Sequence, residues 1–225
     1  MVVSSRRSPS SREPVTGQPG AKRPHFTRYT MYRRLRSVVT DAISRNDGVG
    51  MKVLAISGSR IAREIGLGSA EIVEARYPKF NILSLPMPDD SFDAVLSDQV
   101  LEHVEGDPFA AVRESVRVTR PGGYIIHTTC FFNEIHCQPG DFWRFTPQAL
   151  RLLCRGVADP IEVGGWGNLA LIPIMKLGLR FRPVPDARWH PLRIAAVRNN
   201  PLWPIHTWVV ARKPEPDASA DGGPA

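Results

Sequence analysis

Two histidines and the polar groups around them are the residues of this chain best suited to chemistry. His103 follows Asp98, Gln99 and Glu102 in SDQVLEHV, and His136 lies in CFFNEIHCQPGDFWRFT with Asp141, Trp143 and Arg144. An imidazole titrates near working pH, so His136 or His103 could take a proton from an acceptor. Asp141, Trp143 and Arg144 could grip an anionic or sugar-like compound, since a guanidinium binds anions through paired hydrogen bonds. The plainer alternative is an ordinary Asp141–Arg144 ion pair beside a solvated His136. Cys130, His136 and Cys137 have metal-ligating side chains, but a fourth ligand is not evident, so no metal is expected.

These residues sit at the ends of elements that the pattern makes legible. Phe92 to Ser97 is a short apolar run that fits a buried parallel strand. Pro108 to Val118 has helical spacing, with Phe109, Val112 and Val116 on an apolar face and Arg113, Glu114 and Arg117 pointing away. Pro121-Gly122-Gly123 is expected to stop that helix before a strand from Tyr124 to Thr129. Strand, crossover helix and strand form a right-handed parallel unit. Open sheets of this kind bind ligands beyond the carboxyl ends of their strands, where Asp98, Gln99 and His103 lie. The earlier chain offers a helix from His25 to Ile43, a strand from Met51 to Ile56, a helix from Arg60 to Ile65 and a strand from Ala70 to Glu74. After Glu74, Tyr77-Pro78 soon runs into Ile82 and Leu83, so a further helix and strand of an alternating α/β chain look truncated before Phe92, which predicts an open crevice there. Thr146 caps a helix that starts at Pro147. Ile161 to Val163 is a further strand, Pro183 to Pro204 an irregular lid, and Ile205 to Ala211 the last strand.

The runs LPMPDDSFDAVLSDQVLEHV and RVTRPGGYII resemble the class I S-adenosylmethionine-dependent methyltransferases, in particular their type 11 branch, over roughly residues 51–155. The resemblance implies an α/β, Rossmann-like fold: a mostly parallel sheet with helices on both faces, an antiparallel last strand, and an extra N-terminal helix beside the sheet. It implies S-adenosylmethionine as cofactor, with Ser57, Gly58 and Ser59 at the methionine end, Glu74 at the ribose hydroxyls, Leu85 beside the adenine, and Asp98 and Gln99 bordering the reacting centre. A carboxylate suits the ribose because it has two acceptor oxygens. The chain departs from the family at the first loop: Ala55 replaces the usual acid, Ser57, Ser59 and Ile61 replace glycines, and Gly58 alone remains. The implied reaction is methyl transfer to an O or N nucleophile. The sulfonium already activates the methyl group, so positioning supplies most of the rate. A degenerate member that binds without methylating, and an RNA methyltransferase, are the alternatives.

The chain's 225 residues suffice for one such domain with a core. Residues 1–24, rich in Ser, Arg, Pro and Gly, are expected to be a disordered basic tail. Their Arg and Ser content is also that of a transit peptide, but three prolines would spoil its amphipathic helix. Residues 25–213 are expected to form the methyltransferase-like domain, with the N-terminal helix at 25–45 and a lid or insertion at about 168–204, and 214–225 a loose tail. The net charge is +7, much of it near the start, which could attract nucleic acid, although no RNA-binding motif accompanies it. A small-molecule or saccharide acceptor is therefore the expected partner. No run is long and apolar enough to span a bilayer, and three cysteines without a C-x-x-C pair fit reduced thiols in a cytoplasmic protein. The oligomeric state is not fixed by the sequence.

Overall fold

The computed structural model of the chain describes residues 26–136 and 139–216. The expected tail at 1–24, Cys137 and most of the C-terminal tail lie outside them.

Six strands form one sheet in the order β2-β1-β3-β4-β6-β5: β1 (Lys52–Ile56), β2 (Glu71–Ala75), β3 (Phe92–Asp98), β4 (Thr119–Cys130), β5 (Asp159–Trp166) and β6 (His206–Arg212). The first four strands pair in parallel, while β6 runs antiparallel to both neighbours. The chain leaves β1 toward β2 and then crosses to β3 on the other side. This reversal puts the switch point, and hence the expected site, beyond the carboxyl ends of β1 and β3. Lys52 is exposed and the next four residues of β1 are buried, as in a strand covered on both faces.

Helices α1 (Tyr29–Ala42) and α2 (Arg60–Ile65) cover one face, and α3 (Pro108–Val118) and α4 (Pro147–Leu153) the other. Met31, Tyr32, Leu35, Val38 and Val39 recur at three- and four-residue steps, and all five are buried. Each large aliphatic side chain there contributes about 1.5–3 kcal/mol relative to exposure. Thr146 does cap α4, accepting a hydrogen bond from the Ala149 N–H at 3.1 Å. Between Ala75 and Phe92 the described chain holds one isolated bridge, Asn81 with Ser84, so the usual third strand and its helix are reduced to loop, as expected.

The structure corrects four expectations. Pro121-Gly122-Gly123 does not stop α3, which ends at Val118; the three residues lie within β4. There the backbones crowd: a Cβ on Gly123 would lie 2.8 Å from the Arg120 carbonyl oxygen and 2.9 Å from that of Asp93. Glu114 and Arg117 do not point away. Glu114 accepts the Leu85 N–H at 2.7 Å, and Arg117 donates to the Leu85 and Met87 carbonyls at 2.9 Å each. The Leu85–Met87 segment lacks ladder partners, so the two side chains satisfy its backbone. Phe109, assigned to the apolar face, is exposed. The 183–204 stretch is not wholly irregular: it contains α6 (Pro191–Val197), tied to α1 by Thr30, which donates to the Ala196 carbonyl at 2.6 Å. Helix α5 (Leu171–Lys176) precedes it. Seven residues flanked by turn formers are too few for periodicity to identify a helix.

Candidate functional site

Three strand ends meet at the switch point. Ser57 follows β1 with φ at 76° and Gln99 follows β3 with φ at 60°. Left-handed backbone at two non-glycine residues is uncommon and clusters at functional sites. Ser57 donates to the Asp98 carbonyl oxygen at 3.1 Å, and Gln99 donates its backbone N–H to the Thr128 carbonyl at 2.9 Å, so the two turns brace each other and β4. Gly58, at φ 119°, occupies backbone space that other residues rarely enter, and the Arg76 guanidinium lies 3.1 Å from where its Cβ would be.

Glu74, one residue before the end of β2, stands beside this loop. One carboxylate oxygen accepts the Ser59 N–H at 2.9 Å, and the other accepts from Arg76 Nε at 2.8 Å. Hydrogen bonds from Ser59 and Arg76 hold its pKa down at about 2. Asp98 ends β3 in a tighter place. One oxygen meets both Arg28 Nη1 and the Tyr32 hydroxyl at 2.6 Å, and the other accepts from Thr128 Oγ1 at 2.7 Å. Burial raises the Tyr32 pKa, and Asp98 adds to it. Burial alone would lower the Arg28 value, but Asp98 and Tyr32 outweigh it and raise the guanidinium above its ordinary range. The first residues of α1 are thus bolted to the end of β3.

A cleft of about 480 Å³ opens beside these turns, lined by Ser57, Tyr77, Phe80, Leu83, Gln99 and His103 among others. Of the residues singled out from the sequence, Ser57, Gln99 and His103 line it; Gly58, Ser59, Glu74 and Asp98 lie at or behind the strand ends. The Leu85 side chain is buried in the core beneath α3. Tyr77, Phe80 and Leu83 went unassigned because they come from the shortened segment after β2. Arg28 and Tyr32 were missed because their helix reads as packing; Arg28, one turn before Tyr32, is the signal that could have found them.

On the far side of His103 lies the loop after β4. Arg144 binds Asp141 through two nitrogens, one at 2.7 Å, which with the His136 N–H holds the Asp141 carboxylate well below its usual range despite burial. The ion pair is therefore internal to the loop. Trp143 donates its indole N–H to the Val104 carbonyl at 2.9 Å and stacks near Phe145, so it too is committed. His103 Nδ1 donates to the Gly140 carbonyl, so in the neutral imidazole the lone pair is on Nε2. The His103 and His136 rings meet edge-on with centroids 4.9 Å apart. A second cleft of about 530 Å³ runs beside this loop, with Phe131, Phe132, Ile172 and Met175 as apolar walls and Arg144, Lys176 and Arg180 as cations. Burial lowers the Arg180 pKa, and Lys176 is paired with Glu134.

The basic residues of α1 are mostly consumed within the fold. Arg34 pairs with Glu162, and Arg36 donates to the Arg63 and Glu64 carbonyls at 3.2 Å. Among the described residues no helix is long and apolar enough to cross a membrane.

Residues 42–127 match the family described as a methyltransferase domain. A Mycolicibacterium smegmatis protein described as a probable S-adenosylmethionine-dependent methyltransferase is 35% identical over 146 residues, 56% of this chain and 54% of that one. A ubiquinone biosynthesis O-methyltransferase from Pseudomonas fluorescens is 31% identical over 128 residues, 52% of each chain. The chain thus spans about half the length of these curated relatives. Among solved structures, the Burkholderia thailandensis 1,6-didemethyltoxoflavin-N1-methyltransferase, with its substrate and S-adenosylhomocysteine bound, aligns with a TM-score of 0.52 at 13% identity, covering 82% of this chain and 78% of that one. At that identity the likeness concerns the fold alone.

Proposed function

We propose that this chain, which carries a class I S-adenosylmethionine-dependent methyltransferase domain of the type 11 branch, transfers the methyl group of that cofactor to an O or N nucleophile of a small acceptor. The observation that carries the reading is the 480 Å³ cleft at the switch point, between two left-handed turns, with the Glu74 carboxylate bonded to the Ser59 N–H behind the first of them.

The nucleoside lies along Tyr77, Phe80, Ile82 and Leu83, which supply apolar surface for the base. Glu74 accepts the ribose hydroxyls once Arg76 swings aside, and the exposure of Arg76 leaves it room to do so. Ser57 and Gly58 approach the methionine end. The acceptor enters by the second cleft, whose apolar walls suit an apolar body; Lys176 and Arg144 on its rim are already paired with Glu134 and Asp141, which leaves Arg180, hydrogen-bonded to Asn133, to meet an anionic end. Its nucleophile meets the methyl group near Gln99. His103 Nε2 is positioned to take the displaced proton, and the work of the rest is alignment. Asp98, expected at the reacting centre, serves instead as the anchor of α1. Asp141, Trp143 and Arg144 shape the mouth rather than grip the acceptor, because their polar atoms are engaged with each other and with the Val104 carbonyl.

A second reading, a binding protein without transfer, draws on the thinned glycine loop and on the Arg76–Glu74 pair that occupies the ribose acid. Mass spectrometry of ligand that survives purification separates the two. The transferase reading expects S-adenosylmethionine or S-adenosylhomocysteine, with labelled methyl groups appearing in small acidic compounds of a cell extract. A different retained ligand, with no label transferred, would favour the second.

A further inference from the structure

Behind His103, three side chains of unlike chemistry converge. Glu102, Cys130 and His136 each offer a ligating atom, and these atoms lie within 4.8 Å of one another. Glu102 is fully buried; one oxygen accepts from Thr129 Oγ1 at 2.8 Å, while the other meets no N–H or O–H donor among the described residues and has only the Cys130 thiol beside it. A carboxylate oxygen withdrawn from water without a partner is costly, and such groups are ordinarily paired or bound to a metal. Cys130 is also fully buried, at the end of β4.

We propose that Glu102, Cys130 and His136 form a binding site for a divalent cation of the zinc class. A thiolate with an imidazole selects a borderline-soft ion over magnesium or calcium, which take all-oxygen sites. Zinc bonds of about 2.0–2.3 Å place neighbouring ligands about 3.5 Å apart, so the donors must close by about 1 Å. The His136 side chain is 38% exposed and has room to make that movement. Its Nδ1 lies 3.1 Å from the Glu134 carbonyl oxygen and 3.3 Å from Asp141, partners of the kind that orient an imidazole whose other nitrogen holds an ion. Arg144, a neighbouring cation, is already neutralised by Asp141. On binding, the Cys130 thiol gives its proton to the buffer, and the cation then faces one thiolate and one carboxylate. Three protein donors leave a fourth tetrahedral position open, the arrangement of a reactive rather than a purely structural zinc site.

Metal binding by the full chain tests this without any appeal to methyl transfer. The protein is loaded with Zn²⁺, desalted and analysed for metal, and the Co²⁺ form is examined for a thiolate-to-cobalt charge-transfer band. The site predicts one zinc per chain, a band that Cys130→Ser abolishes, and affinity lowered at least about tenfold by Glu102→Gln, since removal of even an outer partner costs that much. His136→Ala, at a half-exposed position, repeats the test should the buried variants fail to fold. No retained zinc, or a cobalt spectrum that Cys130→Ser and His136→Ala leave unchanged, overturns the proposal and makes Glu102 a buried protonated acid.

Discussion

The two acids near the carboxyl ends of the strands that flank β1 have opposite situations. Glu74, near the end of β2, is one-third exposed, and one of its two partners is the long exposed side chain of Arg76. Asp98, at the end of β3, is nearly buried and bound by Arg28, Tyr32 and Thr128. A ligand can displace a single solvated arginine for little, whereas opening the Asp98 cluster would strand a charge. Position near a strand end nominates both residues; in the proposed reading the state of their partners makes Glu74 the binding acid and Asp98 the structural one.

The largest test of that contrast is Arg28→Ala. It leaves Asp98 without its cation, and urea denaturation should report a loss of about 3 kcal/mol; a loss no larger than that of an ordinary surface change would return Asp98 to the candidates for direct chemistry. Gly58→Ala comes next. At φ 119° an added Cβ is strained, so stability should fall by about 1–2 kcal/mol, with cofactor affinity falling as well. Glu74→Gln should weaken S-adenosylmethionine by about tenfold, equivalent to about 1.4 kcal/mol, with little effect on folding. Its pH behaviour sharpens the point. The folded pKa of about 2 lies below the unfolded value, so any stability from this carboxylate is present above the unfolded pKa and is lost only as pH falls through about 2. Cofactor affinity should therefore not depend on Glu74 ionisation anywhere between pH 5 and 8. The smallest effect belongs to Arg76→Ala: stability within about 0.5 kcal/mol of the parent, and cofactor affinity raised, because the ribose acid no longer needs to be vacated.

Much of the scaffold was legible in the chain. Apolar runs bounded by turns marked β1, β3 and β6, and Thr146-Pro147 marked the start of α4, because these signals are local and agree with the tertiary structure. The site was legible in outline only. Ser57, Gln99 and His103 lie where strand ends place them, yet what each side chain can do depends on distant partners. Arg28 is 70 residues from Asp98 in sequence, and Arg117 reaches back 32 residues to the Leu85 carbonyl. Glu102 was passed over because its burial, the property that makes it unusual, comes from β4 and the loop behind it.

The most direct measurement is calorimetric titration of the full chain with S-adenosylmethionine, alongside Glu74→Gln and Arg76→Ala. The account predicts one site per chain, protection against thermal unfolding, weaker binding in the first variant and tighter binding in the second. Absence of heat and of protection in all three proteins would contradict it, leaving the fold without the methyl donor.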